Sequence, residues 1–271
     1  MDDAIRYRTM TTEELRGTFL IDNLFRPGEI GSTYVDLDRT VIGSAVPNSK
    51  PLFLPTDDAL KAAFFTERRE LGVLNIGGAG SVTANGIPFE LKKLDALHVG
   101  RGNEEIVFSS VDPAQPAEFY LLSYPAHATY PTQLIRSAEQ AKVMLGAAEN
   151  ANLREITKLT HLEGTRSCQL VMGCTRLATG SVWNTMPPHT HMRRSEAYLY
   201  FDIAADQRVI HLMGPAKQTR NIVVANKQIV VSPGWSIHAG VGTKNYTFCW
   251  GMGGENQVYS DMDALAIGDL L

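Results

Sequence analysis

Hydrophobic and polar residues alternate along most of this chain in short stretches that glycine, proline and asparagine separate. Stretches such as 197–201, 228–231 and 246–250 have the length and composition of β-strands. Asn85-Gly86 stands between two further stretches and is a strong signal for a tight hairpin turn. Short strands at nearly even spacing are typical of a closed barrel or a sandwich, so the sequence predicts an all-β fold.

Helix signals occur at three places. Residues 11–14 (Thr-Thr-Glu-Glu) have the form of a capping box, which predicts a short helix near the N-terminus. Residues 55–63 predict a second helix with acidic residues in its first turn, and residues 137–140 predict a third. We therefore expect a few short helices beside the strands.

Two parts of the sequence repeat each other. Residues 95–102 resemble residues 235–242, because in each a histidine is followed by glycine two and four residues later. These histidines, His98 and His238, are also each followed by phenylalanine ten residues later. The match indicates a duplicated barrel, and a chance likeness between two hairpins is the alternative.

A second match supports the duplication. Residues 68–70 resemble residues 193–196, and both segments run into a predicted strand. The repeat predicts an N-terminal barrel over residues 1–130, without a metal site, and a metal-binding barrel over residues 131–271.

Composition narrows the class of protein. The 271 residues are 44% hydrophobic and 20% charged, which is a globular balance, and a net charge of −4 without a basic block argues against nucleic acid as a partner. The first residues lack the apolar core of a signal peptide, and no apolar run has bilayer-spanning length, so we expect no membrane partner. Three cysteines, without a paired framework, predict free thiols and a cytoplasmic location.

Four residues form a candidate metal site. His189 and His191 are two apart, so on a strand their imidazoles point to the same face. Glu196 has the wrong parity for a continuous strand, and a turn or bulge at 193–195 must bring it back to that face. His238 follows Pro233-Gly234, which predicts a tight turn before a strand.

The donor set restricts the ion. Three imidazoles and one carboxylate suit Zn²⁺, and Mn²⁺, Fe²⁺, Ni²⁺ and Co²⁺ also fit. One or two coordination positions stay open, as a catalytic site requires. In the first half, His98 has no His-x-His upstream, so we expect a structural role or a subunit contact for it.

These segments resemble the two cupin motifs, in which Gly and His-x-His precede Glu, and Pro-x-Gly-x-x-His follows. Two departures are visible, because Gly180 precedes His189 by more than the usual spacing and Gly234 stands one place early. Neither departure removes a ligand. The resemblance implies a bicupin, a protein of two cupin-type barrels.

Longer segments resemble the 5-keto-4-deoxyuronate isomerases, also called 4-deoxy-L-threo-5-hexosulose-uronate ketol-isomerases. The similar segments are residues 67–80, 125–132, 183–191, 235–244 and 251–258. The resemblance implies a homohexameric enzyme of pectin breakdown with one zinc ion per chain. Its ligands would be the four residues named above. The reaction it implies converts 5-dehydro-4-deoxy-D-glucuronate to 3-deoxy-D-glycero-2,5-hexodiulosonate.

This reaction requires a general base and a cation that binds the substrate carboxylate. Arg193 and Arg194 stand between two predicted ligands, and we select Arg194 as the catalytic cation, although both could instead face outwards and pair with acids. Glu255 is the candidate base, with a structural role as its alternative. Tyr130 and Lys244 are weaker candidates.

Two other functions fit the bare motifs. An Fe²⁺-dependent cupin dioxygenase uses the same three histidines and one glutamate. A sugar-binding or storage bicupin would keep the ion only for structure. The similarity over nearly the whole chain favours the ketol-isomerase.

Overall fold

The computed structural model describes residues 3–271, and most of its regular structure is β-strand. Within that range it has one α-helix, α1 (Thr12–Phe19), and short 3₁₀ turns at Arg6–Arg8, Leu37–Arg39, Asp58–Leu60, Ser137–Glu139, Ala148–Asn150 and Ile267–Asp269. The strands of the first half are β1 (Leu20–Ile21), β2 (Ile30–Val35), β3 (Thr40–Ala45), β4 (Leu52–Phe53), β5 (Arg69–Asn75), β6 (Gly80–Ala84), β7 (Ile87–Leu91), β8 (Ala96–Val99), β9 (Ile106–Ser110), β10 (Phe119–Pro125) and β11 (Gln133–Ile135). The strands of the second half are β12 (Lys142–Leu145), β13 (Arg154–Thr160), β14 (Val171–Leu177), β15 (Trp183–Asn184), β16 (His189–Thr190), β17 (Arg194–Phe201), β18 (Val209–Met213), β19 (Arg220–Val224), β20 (Gln228–Ser232), β21 (Ala239–Gly242), β22 (Thr247–Gly254) and β23 (Asp263–Ala264).

The strands belong to two compact units. Unit 1 comprises the described residues up to Asp22 together with Ala141–Lys158 and Gly173–Leu271. It holds a seven-stranded sheet in the order β1-β20-β17-β22-β14-β13-β12 and a four-stranded sheet in the order β15-β21-β18-β19, while β16 pairs with β23. The last two residues of β13 and the first two residues of β14 belong to unit 2.

Unit 2 comprises Asn23–Gln140 and Leu159–Met172. It holds a six-stranded sheet in the order β11-β8-β5-β10-β3-β2 and a four-stranded sheet in the order β4-β9-β6-β7. Buried side chains from both sheets, among them Val73, Val82 and Phe108, form one apolar core. Two sheets around a single core are the arrangement that the strand pattern predicted.

The units are built from separated segments, whereas the sequence predicted one boundary between residues 130 and 131. The N-terminal segment lies in unit 1 because β1 extends the seven-stranded sheet, with Leu20 opposite Val230. The ring of Tyr7 also packs on that of Trp235, at a centroid distance of 4.9 Å. Such long-range pairings leave no local signal in the sequence.

Two local predictions are confirmed. Asn85 and Gly86 have φ values of 47° and 79° and connect β6 to β7, as expected of a two-residue hairpin turn. The capping box begins α1, since the Thr11 hydroxyl accepts from the Glu14 N–H at 3.2 Å and the Glu14 carboxylate accepts from the Thr11 N–H at 2.8 Å.

The predicted helix over 55–63 is wrong, because only the 3₁₀ turn Asp58–Leu60 forms there. The Asp57 carboxylate accepts from the Ala59 N–H, but Lys61 adopts a left-handed conformation that ends the turn. Within residues 137–140, likewise, only the 3₁₀ turn Ser137–Glu139 forms instead of an α-helix. Within residues 3–271, no helix combines the length and the apolar composition that crossing a membrane requires.

Candidate metal centre

The four predicted ligands come from three different places in unit 1. His189 lies in β16, His191 follows that strand directly, and Glu196 lies in β17, while His238 immediately precedes β21. The chain turns at residues 192–193, where the Arg194 N–H donates to the His191 carbonyl at 3.2 Å. This is the kind of reversal that the parity of Glu196 required, one residue earlier than predicted.

The side chains of these four residues converge. One ligand atom from each lies within 4.8 Å of all the others. The Glu196 Oε2 is 2.9 Å from the Nε2 of His191 and 3.2 Å from the Nε2 of His238, and the Nε2 atoms of His189 and His238 are 2.9 Å apart. All but the half-buried His189 are buried. We call these four residues the His/Glu cluster.

The surrounding protein orients two of the imidazoles. The Nδ1 of His191 lies 3.2 Å from the Arg194 carbonyl, and the Nδ1 of His238 lies 3.4 Å from the Ser232 hydroxyl. Each ring thereby directs its Nε2 into the cluster, which is the outer-shell arrangement of metal-binding histidines.

The electrostatics of the cluster favour neutral imidazoles at two positions. Burial lowers the pKa of His189 to about 4, and burial together with the neighbouring histidines lowers the pKa of His238 well below its usual value. Burial opposes a charge on His191 as well, but its hydrogen bond with Glu196 outweighs that effect and raises its pKa. Neutral imidazoles offer lone pairs to a metal, so the residues present fit a divalent cation.

A cavity of about 200 Å³ opens onto the cluster. His189, His191 and Glu196 all contribute to its lining, together with Tyr198 two residues further along β17. The remaining lining residues are Leu145, Arg154, Ile156, Thr175, Thr185, Pro187, Phe248, Trp250, Met252, Tyr259 and Met262. The cavity therefore joins a cluster of ligating groups to walls that are mainly apolar.

The structure does not bring the two predicted catalytic residues to this cavity. Arg194 is buried, and its guanidinium donates to the carbonyls of Val258 at 2.8 Å and Asp261 at 3.1 Å. Glu255 is exposed and outside the cavity lining, so its position gives no support to a role as base.

The other cationic and phenolic candidates also lie outside the lining. Arg193 is half exposed and forms a two-pronged ion pair with Asp261. Lys244 is exposed, and Tyr130 belongs to unit 2. The alternative interpretation of Arg193, that it faces outwards and pairs with an acid, is confirmed.

Sequence reasoning missed five polar residues of the cavity, which are Arg154, Thr175, Thr185, Tyr198 and Tyr259. Tyr198 could have been found, because it is two residues after Glu196 on one strand and so shares its face. Arg154 and Tyr259 give no such signal, since they approach the cluster only through the pairing of β13 and the path of the chain after β22.

Unit 2 contains a buried glutamate and histidine at the repeated positions. Glu70 on β5 and His98 on β8 are both buried, with the Glu70 Oε2 at 3.4 Å from the His98 Nε2. The same carboxylate accepts from the backbone N–H groups of residues 168–170 at 2.6–2.9 Å. Backbone donors, with one imidazole, satisfy this carboxylate.

Comparison with known proteins places the sequence in a defined group. The model of the KduI/IolB family matches residues 22–267. The 4-deoxy-L-threo-5-hexosulose-uronate ketol-isomerase of Formosa agariphila is 54% identical over 259 residues, which cover 96% of this chain and 92% of the relative. The protein of the same name from Shouchella clausii is 50% identical over 264 residues, covering 97% of this chain and 96% of the relative.

Solved structures agree on the fold. An IolB-like protein of Salmonella typhimurium LT2 superposes with a TM-score of 0.73 at 13% identity, covering 91% of this chain and 96% of that one. Oxalate decarboxylase of Bacillus subtilis, a protein described with Mn(II) centres, superposes with a TM-score of 0.62 at 10% identity, covering 91% and 77%. These likenesses concern the fold alone, and the prediction of an all-β bicupin is confirmed.

Proposed function

Because the chain belongs to the KduI/IolB family, we propose that it is a metal-dependent ketol-isomerase acting on a uronate. The substrate is 5-dehydro-4-deoxy-D-glucuronate and the product 3-deoxy-D-glycero-2,5-hexodiulosonate, in keeping with the name of relatives at 54% and 50% identity. The observation that carries this proposal is the convergence of the His/Glu cluster beside a cavity.

The reaction exchanges an aldehyde and a neighbouring hydroxyl without consuming an oxidant or a reductant. A proton leaves the hydroxyl-bearing carbon and another is taken up at the former aldehyde carbon. The hydroxyl oxygen becomes the ketone oxygen and loses its proton, and the aldehyde oxygen gains one. The site must therefore stabilise negative charge on two adjacent oxygens and keep water away from the reacting carbons.

We propose His189, His191, Glu196 and His238 as the metal ligands, with Zn²⁺ as the ion, although Mn²⁺, Fe²⁺, Ni²⁺ and Co²⁺ suit the same donors. When bound, such an ion supplies Lewis-acid stabilisation for oxygens that acquire negative charge. Holding those donors neutral and fixed is the contribution of the chain, through burial and through the outer contacts of His191 and His238.

Other cavity residues act on the substrate directly. Burial raises the pKa of Tyr198 well above its usual value, so its phenol keeps its proton at neutral pH and can donate a hydrogen bond to a substrate oxygen. The side chains of Phe248, Trp250 and Met252 form an apolar wall that excludes water from the reacting carbons.

The decisive experiment follows product formation from 5-dehydro-4-deoxy-D-glucuronate before and after chelation, with the variant His238→Ala alongside. Loss of one ligand leaves three donors and a distorted geometry, so we expect most bound metal to be lost and activity to fall at least about 100-fold. Metal analysis and an isomerisation assay measure the two effects.

A surface histidine provides the control. His127 is exposed and lies in unit 2, so His127→Ala is expected to keep full metal content and activity. Full metal stoichiometry in His238→Ala would refute the ligand assignment. Iron-dependent oxygen uptake without aldehyde–ketone exchange in the parent protein would refute the isomerase and favour a dioxygenase.

We further propose that the protein forms homohexamers. Support comes from β12, an edge strand of the seven-stranded sheet whose Val143, Met144 and Leu145 are 44%, 55% and 43% exposed. An exposed apolar edge strand is the kind of surface that folded proteins cover with another chain. Sedimentation analysis tests this proposal, with an expected mass of six times the 29.8 kDa chain.

The cellular setting that we propose is pectin-derived uronate catabolism in the cytoplasm. The three cysteines are free thiols, as a reducing compartment allows. Deletion of the gene is expected to abolish growth on polygalacturonate and to leave growth on glucose unchanged. Cell fractionation with an antibody against the protein tests the location.

A further inference from the structure

Arg154, the first residue of β13, lines the same cavity as the His/Glu cluster. Of the lining residues, all within the described part of the chain, it alone has a permanent positive charge. One hydrogen bond is found for its guanidinium, a donation from Nη1 to the Asn152 carbonyl at 2.9 Å. A guanidinium has five N–H donors, so most of its hydrogen-bonding capacity is open to a ligand.

The charge of Arg154 has no acidic counter-ion among residues 3–271. The side chain is half-buried, and burial lowers its pKa, while the nearby phenols of Tyr259, Tyr198 and Tyr246 oppose that shift. A cation that is withdrawn from water without an anionic partner is costly, and an anion that enters the cavity removes that cost.

The neighbouring cations are engaged elsewhere. Arg193 pairs with Asp261, and Arg194 donates to two backbone carbonyls. Lys158 lies over the ring of Tyr259, with its Nζ 4.4 Å from the ring centroid. Each of these groups already has a partner, which leaves Arg154 for the ligand.

We propose that Arg154 binds the carboxylate of the substrate, an inference that rests on the proposed uronate isomerase. A guanidinium and a carboxylate match in shape and can form two parallel hydrogen bonds. With the carboxylate held there, the far end of the open-chain sugar acid, which carries the aldehyde, is directed to the His/Glu cluster. The cavity thereby selects sugar acids over neutral aldoses, and Arg154 replaces Arg194 in the role that the sequence suggested.

The test compares the acid substrate with its methyl ester, which has the same length but no charge. In the wild-type protein, kcat/KM for the acid should exceed that for the ester about 10- to 100-fold, the range for a charge-assisted hydrogen-bonded pair. In Arg154→Met, kcat/KM for the acid should fall to the value for the ester, mainly through a higher KM. The kcat/KM for the ester should change little. Arg154→Lys keeps the positive charge but lacks the planar guanidinium that forms two parallel hydrogen bonds. Its kcat/KM for the acid should therefore lie between the values for the wild type and Arg154→Met.

Arg176 provides the matched control. It lies on the adjacent strand β14, is 58% exposed and pairs with Glu155 at 3.6 Å, outside the cavity lining. Arg176→Met is therefore expected to discriminate between acid and ester as the wild type does. Metal content and melting temperature are measured for every variant, and Arg154→Lys replaces Arg154→Met if the latter does not fold.

The two proposals fail in different ways. If the wild type isomerises the acid and a folded, metal-loaded Arg154 variant still prefers acid to ester by the wild-type ratio, the assignment of Arg154 is overturned. If the wild type does not isomerise the acid, the proposed function fails. In that case no turnover disturbs a binding measurement. Calorimetric titration with the same acid and ester then still shows whether Arg154 binds a carboxylate.

Discussion

Two buried glutamates differ in the groups that surround their carboxylates. The difference determines whether a carboxylate needs a metal ion as a partner. Glu196 faces the imidazoles of three histidines, with its Oε2 in hydrogen-bond contact with the Nε2 of His191 and 3.2 Å from the Nε2 of His238. Glu70 faces one imidazole, and backbone N–H groups supply its other partners. A carboxylate that peptide groups already satisfy needs no cation, so Glu70 serves to hold residues 168–170 in place.

The stability of the protein should depend on the charge of Glu70. Burial alone would raise its pKa, but the hydrogen bonds from His98 and from three backbone N–H groups outweigh burial and lower it. The unfolded chain therefore takes up this proton at a higher pH than the folded chain does. The stabilisation is present above the unfolded pKa of about 4.3 and is lost as the pH falls through the lower folded pKa.

Glu70→Gln should lower the free energy of unfolding at pH 7 by about 3 kcal/mol, the cost of breaking a buried charged network. The variant should also lose stability less steeply than the wild type between pH 5 and pH 3. Urea denaturation over that range measures both effects. Glu29→Gln is the control, because Glu29 is 54% exposed in its pair with Arg26, and it should change stability little. A wild-type pH dependence in Glu70→Gln would contradict the assigned role.

At the scale of elements, the position of the segment after β22 depends on Arg194. This segment, residues 255–262, contributes Tyr259 and Met262 to the cavity. The guanidinium of Arg194 bonds the carbonyls of Val258 and Asp261, so it fastens the segment to the start of β17. We therefore expect Arg194 to position one wall of the site.

Arg194→Met should loosen this segment while the ion stays bound. Removing the guanidinium leaves two carbonyls without their charged donor, and we expect a loss of about 2 kcal/mol in stability. Hydrogen exchange should accelerate in residues 255–262, and KM should rise more than kcat falls. Arg193→Gln is the comparison, because its ion pair is on the surface and should matter much less. Unchanged exchange in Arg194→Met would argue for a direct role in the chemistry.

The same elements show how far sequence reasoning reaches. The hairpin at Asn85-Gly86 and the shared face of His189 and His191 follow from rules that act over a few residues, and such features were predictable. The partners of Arg194 were not, because Val258 and Asp261 are more than 60 residues away in the sequence. Arg154 was missed for the same reason, since only the pairing of distant strands brings it to the cavity.

At the scale of the whole molecule, residues from both ends of the chain build the unit that contains the cluster. Besides β1, the guanidinium of Arg220 fixes the N-terminal segment by donating to the carbonyls of Tyr7, Arg8 and Met10 at 2.8–3.0 Å. Tyr7 in turn packs on Trp235, three residues before His238 of the His/Glu cluster. Order in the N-terminal segment therefore supports the loop that carries His238.

Because the cluster ties β16, β17 and the start of β21 together, metal binding should stabilise the protein. Free metal at about 100 times its dissociation constant adds about 2.7 kcal/mol to the native state. Dialysis against a chelator should therefore lower the melting temperature, and added Zn²⁺ should restore it. Hydrogen exchange should rise first at the strands that carry the ligands. In His238→Ala, the chelator should change neither the melting temperature nor the hydrogen exchange, because little metal is bound before it is added. An equal melting temperature with and without metal in the wild type would mean that the folded protein binds no ion in preference to the unfolded chain, and would contradict the proposed metal site.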